Sequence, residues 1–389
     1  MHGSSVLNSL TGLSIALLVM VCAIPFASAE DTVEVDVNET IIWDSNPLMQ
    51  TTGETDILGS ETKASLELGR NTPSEKLTAE FEAVRNQFNE TSFNSTDVAF
   101  STDLEKKYRR VGWSIQGGID YDTTRTGEIT TFGRNTRAER RTTWQIEPEV
   151  SYNLSPLSKV ALSGSWLERY YDDASSLIDY RTASVSPSLI RSLTPRQTGV
   201  MSFHARRYSS LEGGDRTVDS LGPSFGWQYN FKPEYSIELT AGVLGSRFDG
   251  YGTGDDEWEF NPTYSGELQY LGQRNQAALG VSRERQPFAN GTESDLTSVN
   301  VKNKFAFTPR LYVNMRAIYQ KAEQPPVSTD DLDMAYEESV ELVYKTADRW
   351  RLSLSQRYRR EELTNGLGEA ERSIIRAGLG YSFDTEPDR

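Results

Sequence analysis

Charged side chains occur at every second position in several short segments of this sequence. Glu147 and Glu149, for example, alternate with Ile146 and Val150. The acidic members of the pattern lie in the first two thirds of the chain and include Glu80, Glu82, Asp103, Glu105, Asp120, Glu147 and Glu149. The basic members lie in the last third and include Lys302, Lys304, Arg316, Arg357, Arg359 and Arg376. Arg376, in the last of these segments, is expected to close against the acidic residues Glu34 and Asp36 of the first. Charges of opposite sign on two walls of a narrow aqueous pore would create a transverse field that orders dipolar solutes.

A second interpretation of these charges stays open: they are ordinary lumen residues that pair with neighbours on the same wall. Catalysis is not indicated. His2 lies in the amino-terminal segment, so His204 is the only histidine expected in the processed chain, and it has no nearby serine elbow or paired aspartate. The acidic loop segments lack the glycine-centred, glutamate-terminated spacing of a dedicated calcium site. We therefore predict no enzymatic activity, no metal and no cofactor.

Composition narrows the class of protein. The 389 residues carry a formal charge of −16, contain 37% hydrophobic residues and include a single cysteine, Cys22. The low hydrophobic content fits a wall with one polar face better than a single soluble core. The acidic balance argues against a nucleic-acid partner, and a lone cysteine excludes an internal disulfide.

The amino terminus has the features of a cleavable signal peptide. An apolar run from Leu13 to Ile24 precedes Ala27-Ser28-Ala29, which would release a chain beginning at Glu30. The alternative, a retained anchor, is disfavoured because about 20 apolar residues are needed to span a bilayer. We expect residues 1–29 to be a signal peptide, residues 30–383 a β-barrel, and residues 384–389 a short periplasmic tail.

The charged residues are predicted to lie on β-strands. In the last of them Ile375, Ala377, Leu379, Tyr381 and Phe383 alternate with small and polar residues, as in a strand with one side in lipid and the other in water. Tyr381 and Phe383 are predicted to be the signal read by the barrel-insertion machinery. Short and long connections alternate along the chain, which predicts short periplasmic turns, longer outer loops and two periplasmic termini.

Counting back from this strand predicts an all-β, antiparallel up-and-down transmembrane barrel of about 18 strands. The alternative is a barrel of about 14 strands in which the segment from Thr32 to Tyr108 forms a plug. Four prolines lie in the middle of alternate strands, at spacings of 39, 36 and 39 residues: Pro148, Pro187, Pro223 and Pro262. We interpret them as a row of bulges at one height of the wall.

The segment Trp43-Asp44-Ser45-Asn46-Pro47-Leu48, the repeated hairpins with a central proline and the closing Gly-Tyr-Ser-Phe resemble outer-membrane β-barrel porins found with exopolysaccharide and exosortase-type loci. The resemblance implies a Gram-negative outer-membrane location. The predicted function is a water-filled pore for passive or mildly selective passage of small polar solutes. Two alternatives remain: an accessory or exit port for exopolysaccharide, and a surface scaffold with a plugged lumen. The expected partners are outer-membrane lipid and lipopolysaccharide, the insertion machinery, and polysaccharide or its export proteins.

Overall fold

The computed structural model describes residues 31–124, 138–172, 177–211, 216–250, 258–287, 293–323, 332–346, 349–363 and 368–384. The side chains of Leu332, Asp333 and Asp384 are outside this description. The predicted signal peptide, residues 1–29, and the tail beyond Asp384 also lie outside the described residues, so both stay predictions.

The described chain consists of β-strands and one 3₁₀ turn, Thr91–Phe93. The strands are β1 (Asp31–Asp44), β2 (Ile57–Asn71), β3 (Glu75–Phe88), β4 (Ser95–Lys107), β5 (Val111–Thr123), β6 (Arg140–Ser155), β7 (Ser158–Tyr171), β8 (Tyr180–Thr194), β9 (Gln197–Ser210), β10 (Thr217–Lys232), β11 (Tyr235–Asp249), β12 (Trp258–Leu271), β13 (Asn275–Pro287), β14 (Glu293–Ala306), β15 (Leu311–Glu323), β16 (Leu332–Lys345), β17 (Trp350–Leu363) and β18 (Glu369–Asp384). Among these described residues, no helix is long and apolar enough to cross a membrane.

Each strand pairs antiparallel with the next one, and β18 pairs with β1, so the 18 strands form one closed barrel. The predicted all-β barrel of about 18 strands is confirmed. The alternative with about 14 strands and an amino-terminal plug is wrong, because Asp31–Lys107 forms β1 to β4 of the wall. These four strands repeat the alternation of the later ones and therefore hydrogen-bond on both sides, which leaves no open sheet edge.

The two faces of the sheet differ as the alternation predicts. On the outer face, Phe225 and Phe260 are 62% and 67% exposed, while their sequence neighbours Ser224 and Asn261 point into the lumen. At the ends with short connections, outward-facing rings form contacts such as Tyr235–Tyr270, with centroids 4.7 Å apart, and Trp350–Tyr381, 5.0 Å apart. An exposed apolar band with aromatic rings at its border is typical of a barrel wall in a bilayer.

The two ends of the barrel have different connections. Even-numbered strands are joined to the following strands by short links, such as Thr72–Ser74, and odd-numbered strands by links that are mostly longer, such as Ser45–Asp56. The described chain begins at β1 and finishes at β18 on the end with the short links, called here the short-link end. The opposite rim is called the long-link end.

The four mid-strand prolines mark a row of interrupted pairing. Each proline retains its register partner on the preceding strand, but the pairing with the following strand is broken beside it. The breaks lie between Ile146 and Glu149 on β6, between Val185 and Ser188 on β8, between Leu221 and Ser224 on β10, and on β12 before Tyr264, where pairing with β13 begins. Proline has no N–H to give to a neighbouring strand. The predicted bulges are therefore replaced by gaps in the ladder, and the register shifts of these strands lie instead near the short links.

Candidate functional site

The strand register places every predicted charged residue on the lumen side of the barrel. The acidic wall consists of Glu80 and Glu82 on β3, Asp103 and Glu105 on β4, Asp120 on β5, and Glu147 and Glu149 on β6. The basic wall consists of Lys302 and Lys304 on β14, Arg316 on β15, Arg357 and Arg359 on β17, and Arg376 on β18. The shorter way round the barrel from one wall to the other crosses only β1 and β2. The two walls therefore face each other obliquely across the lumen.

Part of the acidic wall is neutralised by local cations. Glu82 accepts from the Lys63 ammonium at 2.5 Å, Glu105 lies 2.7 Å from the Lys107 ammonium and Glu149 lies 3.8 Å from that of Lys159. Within the described part of the chain, the other four members form no ion pair; these are Glu80, Asp103, Asp120 and Glu147.

Two of these free carboxylates share a polar recess of the wall. Asp103 lies opposite Gln116 and Gln116 lies opposite Glu147, in one register row across β4, β5 and β6. The Gln116 side-chain amide donates to Asp103 at 3.0 Å. This row lines a cavity of about 240 Å³ together with other polar side chains. Carboxylate and amide oxygens dominate its lining, so it favours cationic or hydrogen-bond-donating groups.

The basic wall contains a row of cations at one height. Lys302 lies directly opposite Arg316, and both Arg316 and Arg357 lie opposite Ser339 on the strand between them. Lys304 lies on the short-link side of this row, and its ammonium is 4.7 Å from the centre of the Tyr312 ring. A cavity of about 560 Å³ is lined by Lys302, Lys304 and Arg316 together with Glu267 and Glu341.

Pairing divides the basic wall into two parts. Arg359 is held by Glu361 at 2.6 Å and Glu337 at 3.6 Å, and Arg357 lies 3.8 Å from Glu337. In the described ranges, no ion pair is formed by Lys302, Lys304, Arg316 or Arg376. Arg359 therefore belongs to an ion-pair network on its own wall, whereas the Lys302–Arg316 row presents charge without an ion pair to the lumen. The effect of these charges on a solute stays a prediction.

Arg376 does not lie against the first acidic residues of β1, as the order of charges along the chain suggested. It lies opposite Ile42, while Asp36 lies opposite Ser382. β1 and β18 are antiparallel, and the start of β1 lies beside the end of β18 at the short-link end. Arg376 therefore lies closer to the long-link end than the first acidic residues of β1 do. The closing ion pair is instead Arg372 with Asp44, two contacts of 3.0 and 2.6 Å between buried groups.

At the long-link end, the β13 side of the β13–β14 hairpin separates from β12 and bends into the lumen, while β14 stays paired with β15 as far as Asp295. Pairing between β12 and β13 covers only Tyr264–Leu271 and Gln276–Arg283, so the parts of these strands nearer the long-link end are not paired with each other. Arg285 and Glu293 belong to the face of the hairpin that would meet lipid in a regular wall. Both are buried. The outer face of the hairpin is therefore packed against the lumen side of β9 to β12.

Charge-assisted contacts hold the hairpin in this position. Arg206 on β9 donates to the Arg285 carbonyl oxygen at 2.9 Å and pairs with the Glu293 carboxylate. Arg285 in turn reaches Glu259 on β12 at 3.4 Å and lies 5.2 Å from the ring centre of the lumen-facing Phe248. These contacts cross from β9 to β13 and β14 through the lumen, so they narrow the pore at this level. We call Arg206, Arg285 and Glu293 the hairpin latch.

The sequence pattern did not indicate the latch. Arg206 follows His204 at a lumen position, but its partner Glu293 is 87 residues away and has the parity of an outward-facing residue. The signal that could have indicated it is Pro262 on β12. Beside the other three prolines, pairing with the next strand continues on both sides of the gap. Beside Pro262, no pairing between the described residues of β12 and β13 is found on the side of the long-link end.

The remaining predicted residues are placed as follows. His204 faces the lumen, where its Nδ1 lies 2.7 Å from the Ser186 hydroxyl. Tyr381 and Phe383 lie on the outer face at the short-link end, and the Arg349 guanidinium lies 5.2 Å from the Phe383 ring centre. In the ranges that the structure describes, no three His, Cys, Asp or Glu side chains come together as a metal site.

Comparison with protein-family models and with curated proteins finds no match to this sequence. Comparison with solved structures does. The structure is similar to the crystal structure of OccAB4 from Acinetobacter baumannii, with a TM-score of 0.52 and 13% identity over 93% of this chain and 100% of that chain. It is also similar to OpdO from Pseudomonas aeruginosa, with a TM-score of 0.51 and 12% identity over 92% of this chain and 98% of that chain.

At such identities the similarity concerns the fold alone. Neither the exopolysaccharide association nor the two alternative functions find support in these comparisons. The neighbours are outer-membrane porin channels, and this chain has their fold.

Proposed function

We propose that this protein is an outer-membrane channel that lets small polar solutes pass through its lumen. The observation that carries the proposal is the closed 18-stranded wall whose inner face bears free charges of both signs, acidic on β3 to β6 and basic on β14 to β18. Barrels of 16 to 18 strands are wide enough for an aqueous channel. The apolar outer face and the fold shared with outer-membrane channels support the location.

In this proposal the short-link end and both chain termini face the periplasm, and the long-link end faces outward. Tyr381 and Phe383 then lie where the insertion machinery meets a nascent barrel. A solute entering from outside first meets the level of the hairpin latch and then the row of Lys302 and Arg316. The free carboxylates of the acidic wall lie across the lumen from this row, so a solute with a dipole or with charges of both signs is oriented during passage.

Planar-bilayer recording of the purified protein tests the channel. The expected result is discrete current steps, with a smaller step size than the open barrel would allow because the latch holds the hairpin in the lumen. Heat-unfolded protein is the control. If neither the native protein nor an Arg206→Met variant carries current, the proposed function is wrong.

Charge reversal in the basic row tests the solute pathway. The Lys302→Glu/Arg316→Glu double variant changes the lumen from two free cations to two anions, so the reversal potential in a salt gradient should move toward that of a cation-selective channel. Arg191→Glu is the matched control, because Arg191 lies on the exposed outer face at the short-link end. An unchanged reversal potential in the double variant would place the solute pathway elsewhere.

A further inference from the structure

The outer wall carries a charged row at the long-link end of β8 to β12. Register pairing joins Ala183 to Arg207, Arg207 to Asp219, Asp219 to Arg247, and Arg247 to Trp258. All five side chains belong to the face that meets the membrane, and the Arg207 and Arg247 side chains are 63% and 43% exposed. We call these residues the rim row.

The outer face next to the rim row, on the side of the short links, is apolar. The adjacent row consists of Val185, Ala205, Leu221, Gly245 and Phe260. The small side chains of Ala183 and Ala205 leave a recess between larger neighbours. The residues around it enclose a cavity of about 530 Å³, which is bounded by Val185, Leu221 and Trp258 and reaches Arg207 and Arg247. A polar end therefore meets an apolar trough within one recess.

Among the described side chains, the polar end of the recess has an excess of positive charge. Asp219 accepts from Arg207 at 2.6 and 2.8 Å, and lies 3.8 Å from Arg247. One carboxylate thus serves two guanidinium groups. On either side of the recess, Arg181 is paired with Glu168 at 3.6 Å, and Asp249 lies beyond Arg247 toward the long link. Among the residues that the structure describes, the recess itself holds two guanidinium groups, Arg207 and Arg247, and one carboxylate, Asp219.

The corresponding rim on β16 to β18 has the opposite character. Arg360 lies on the outer face and is shared by Glu369 at 2.7 Å and Glu362 at 3.4 Å, with Glu371 directly opposite. Here one guanidinium serves several carboxylates. The positive recess is therefore a local property of β8 to β12 and not of the whole rim.

We propose that this recess binds a phosphorylated lipid, with its phosphate between Arg207 and Arg247 and an acyl chain along Ala205 and Leu221. Guanidinium groups hold phosphate oxygens through short charge-assisted hydrogen bonds, and the apolar row gives the chain a surface excluded from water. The assignment of the lipid rests on the proposed function. If the long-link end faces outward in an outer membrane, the phosphorylated lipid of that leaflet is the lipid A part of lipopolysaccharide.

The test is a titration of the detergent-solubilised full-length protein with diphosphoryl lipid A that carries a fluorescent acyl chain. The Arg207→Gln/Arg247→Gln double variant should bind about tenfold or more weakly than the wild type, since it loses the charge-assisted hydrogen bonds of both guanidinium groups to the phosphate. Arg360→Gln, on the acidic rim, should bind like the wild type. Dephosphorylated lipid should bind the wild type as weakly as diphosphoryl lipid A binds the double variant.

Three outcomes would overturn the lipid site: equal binding by the wild type and the double variant, equal loss in Arg360→Gln, or competition by inorganic phosphate at the same concentration as the lipid. Bilayer recording of the same double variant separates this proposal from the channel. A conducting wild type without selective lipid binding contradicts only the lipid site. A lipid-binding wild type that carries no current contradicts only the proposed function.

Discussion

Replacing Arg206 with methionine should release the β13–β14 hairpin from the inside of the barrel. The guanidinium of Arg206 crosses the lumen to the Arg285 carbonyl oxygen and to the Glu293 carboxylate, which is fully buried. Methionine keeps much of the side-chain volume but removes every donor. Glu293 then stays buried without its partner, which is the costly way to break an ion pair.

Removing one partner of a buried pair costs about 3–5 kcal/mol. That free energy lowers the ratio of seated to released hairpin by about two to four powers of ten. A hairpin that is seated about 99% of the time in the wild type would then be released about half of the time or more. The contacts of Arg285 with Glu259 and Phe248 remain, so the variant hairpin should still return to its seat.

Single-channel recording reads this equilibrium directly. Arg206→Met should show repeated transitions to a larger current step, while the wild type shows them rarely. Arg191→Met is the matched control, because Arg191 lies on the exposed outer face at the short-link end, away from the hairpin. The Arg206→Met/Glu293→Gln double variant should be released less often than Arg206→Met alone, since no buried charge is then left unpaired. Identical current traces for Arg206→Met and Arg191→Met, with both barrels folded, would refute the latch.

Two further predictions concern stability. Arg372→Met should lower the free energy of unfolding in urea by about 3–5 kcal/mol, because it leaves the buried Asp44 unpaired. Arg376→Met is the control: it removes no ion pair and should change the free energy of unfolding by about 0.5 kcal/mol. Equal losses in the two variants would contradict the closing ion pair. Gly222→Ala should cost about 1–3 kcal/mol, since an added Cβ would overlap the Val243 carbonyl oxygen beside the Pro223 gap, and a folded barrel of wild-type stability would show that this close approach is absent.

The local sequence was sufficient to predict the strands of the barrel wall and the face on which each side chain lies. Period-two alternation places each side chain on one of two faces, and connection lengths then fix which ends of the strands share a rim. For this reason Glu80 and Lys302 could be assigned to the lumen and the strand number could be counted without knowing any contact. The same reasoning fails for pairing across strands. It suggested that Arg376 meets the acids of β1, whereas the closing register joins Arg372 to Asp44.

Local patterns in the amino-acid sequence therefore predict the class of fold, the two faces of each strand and the distribution of charge between the acidic and basic walls. Long-range contacts settle which of the described charges form ion pairs and where the lumen is narrowed. Alternation is a local property of the backbone, whereas the Arg206–Glu293 contact depends on a hairpin bending away from its neighbour. That bend begins beside Pro262, where the ladder to β13 does not resume, and it moves residues with outward parity into the lumen. No pattern within a single strand contains this information.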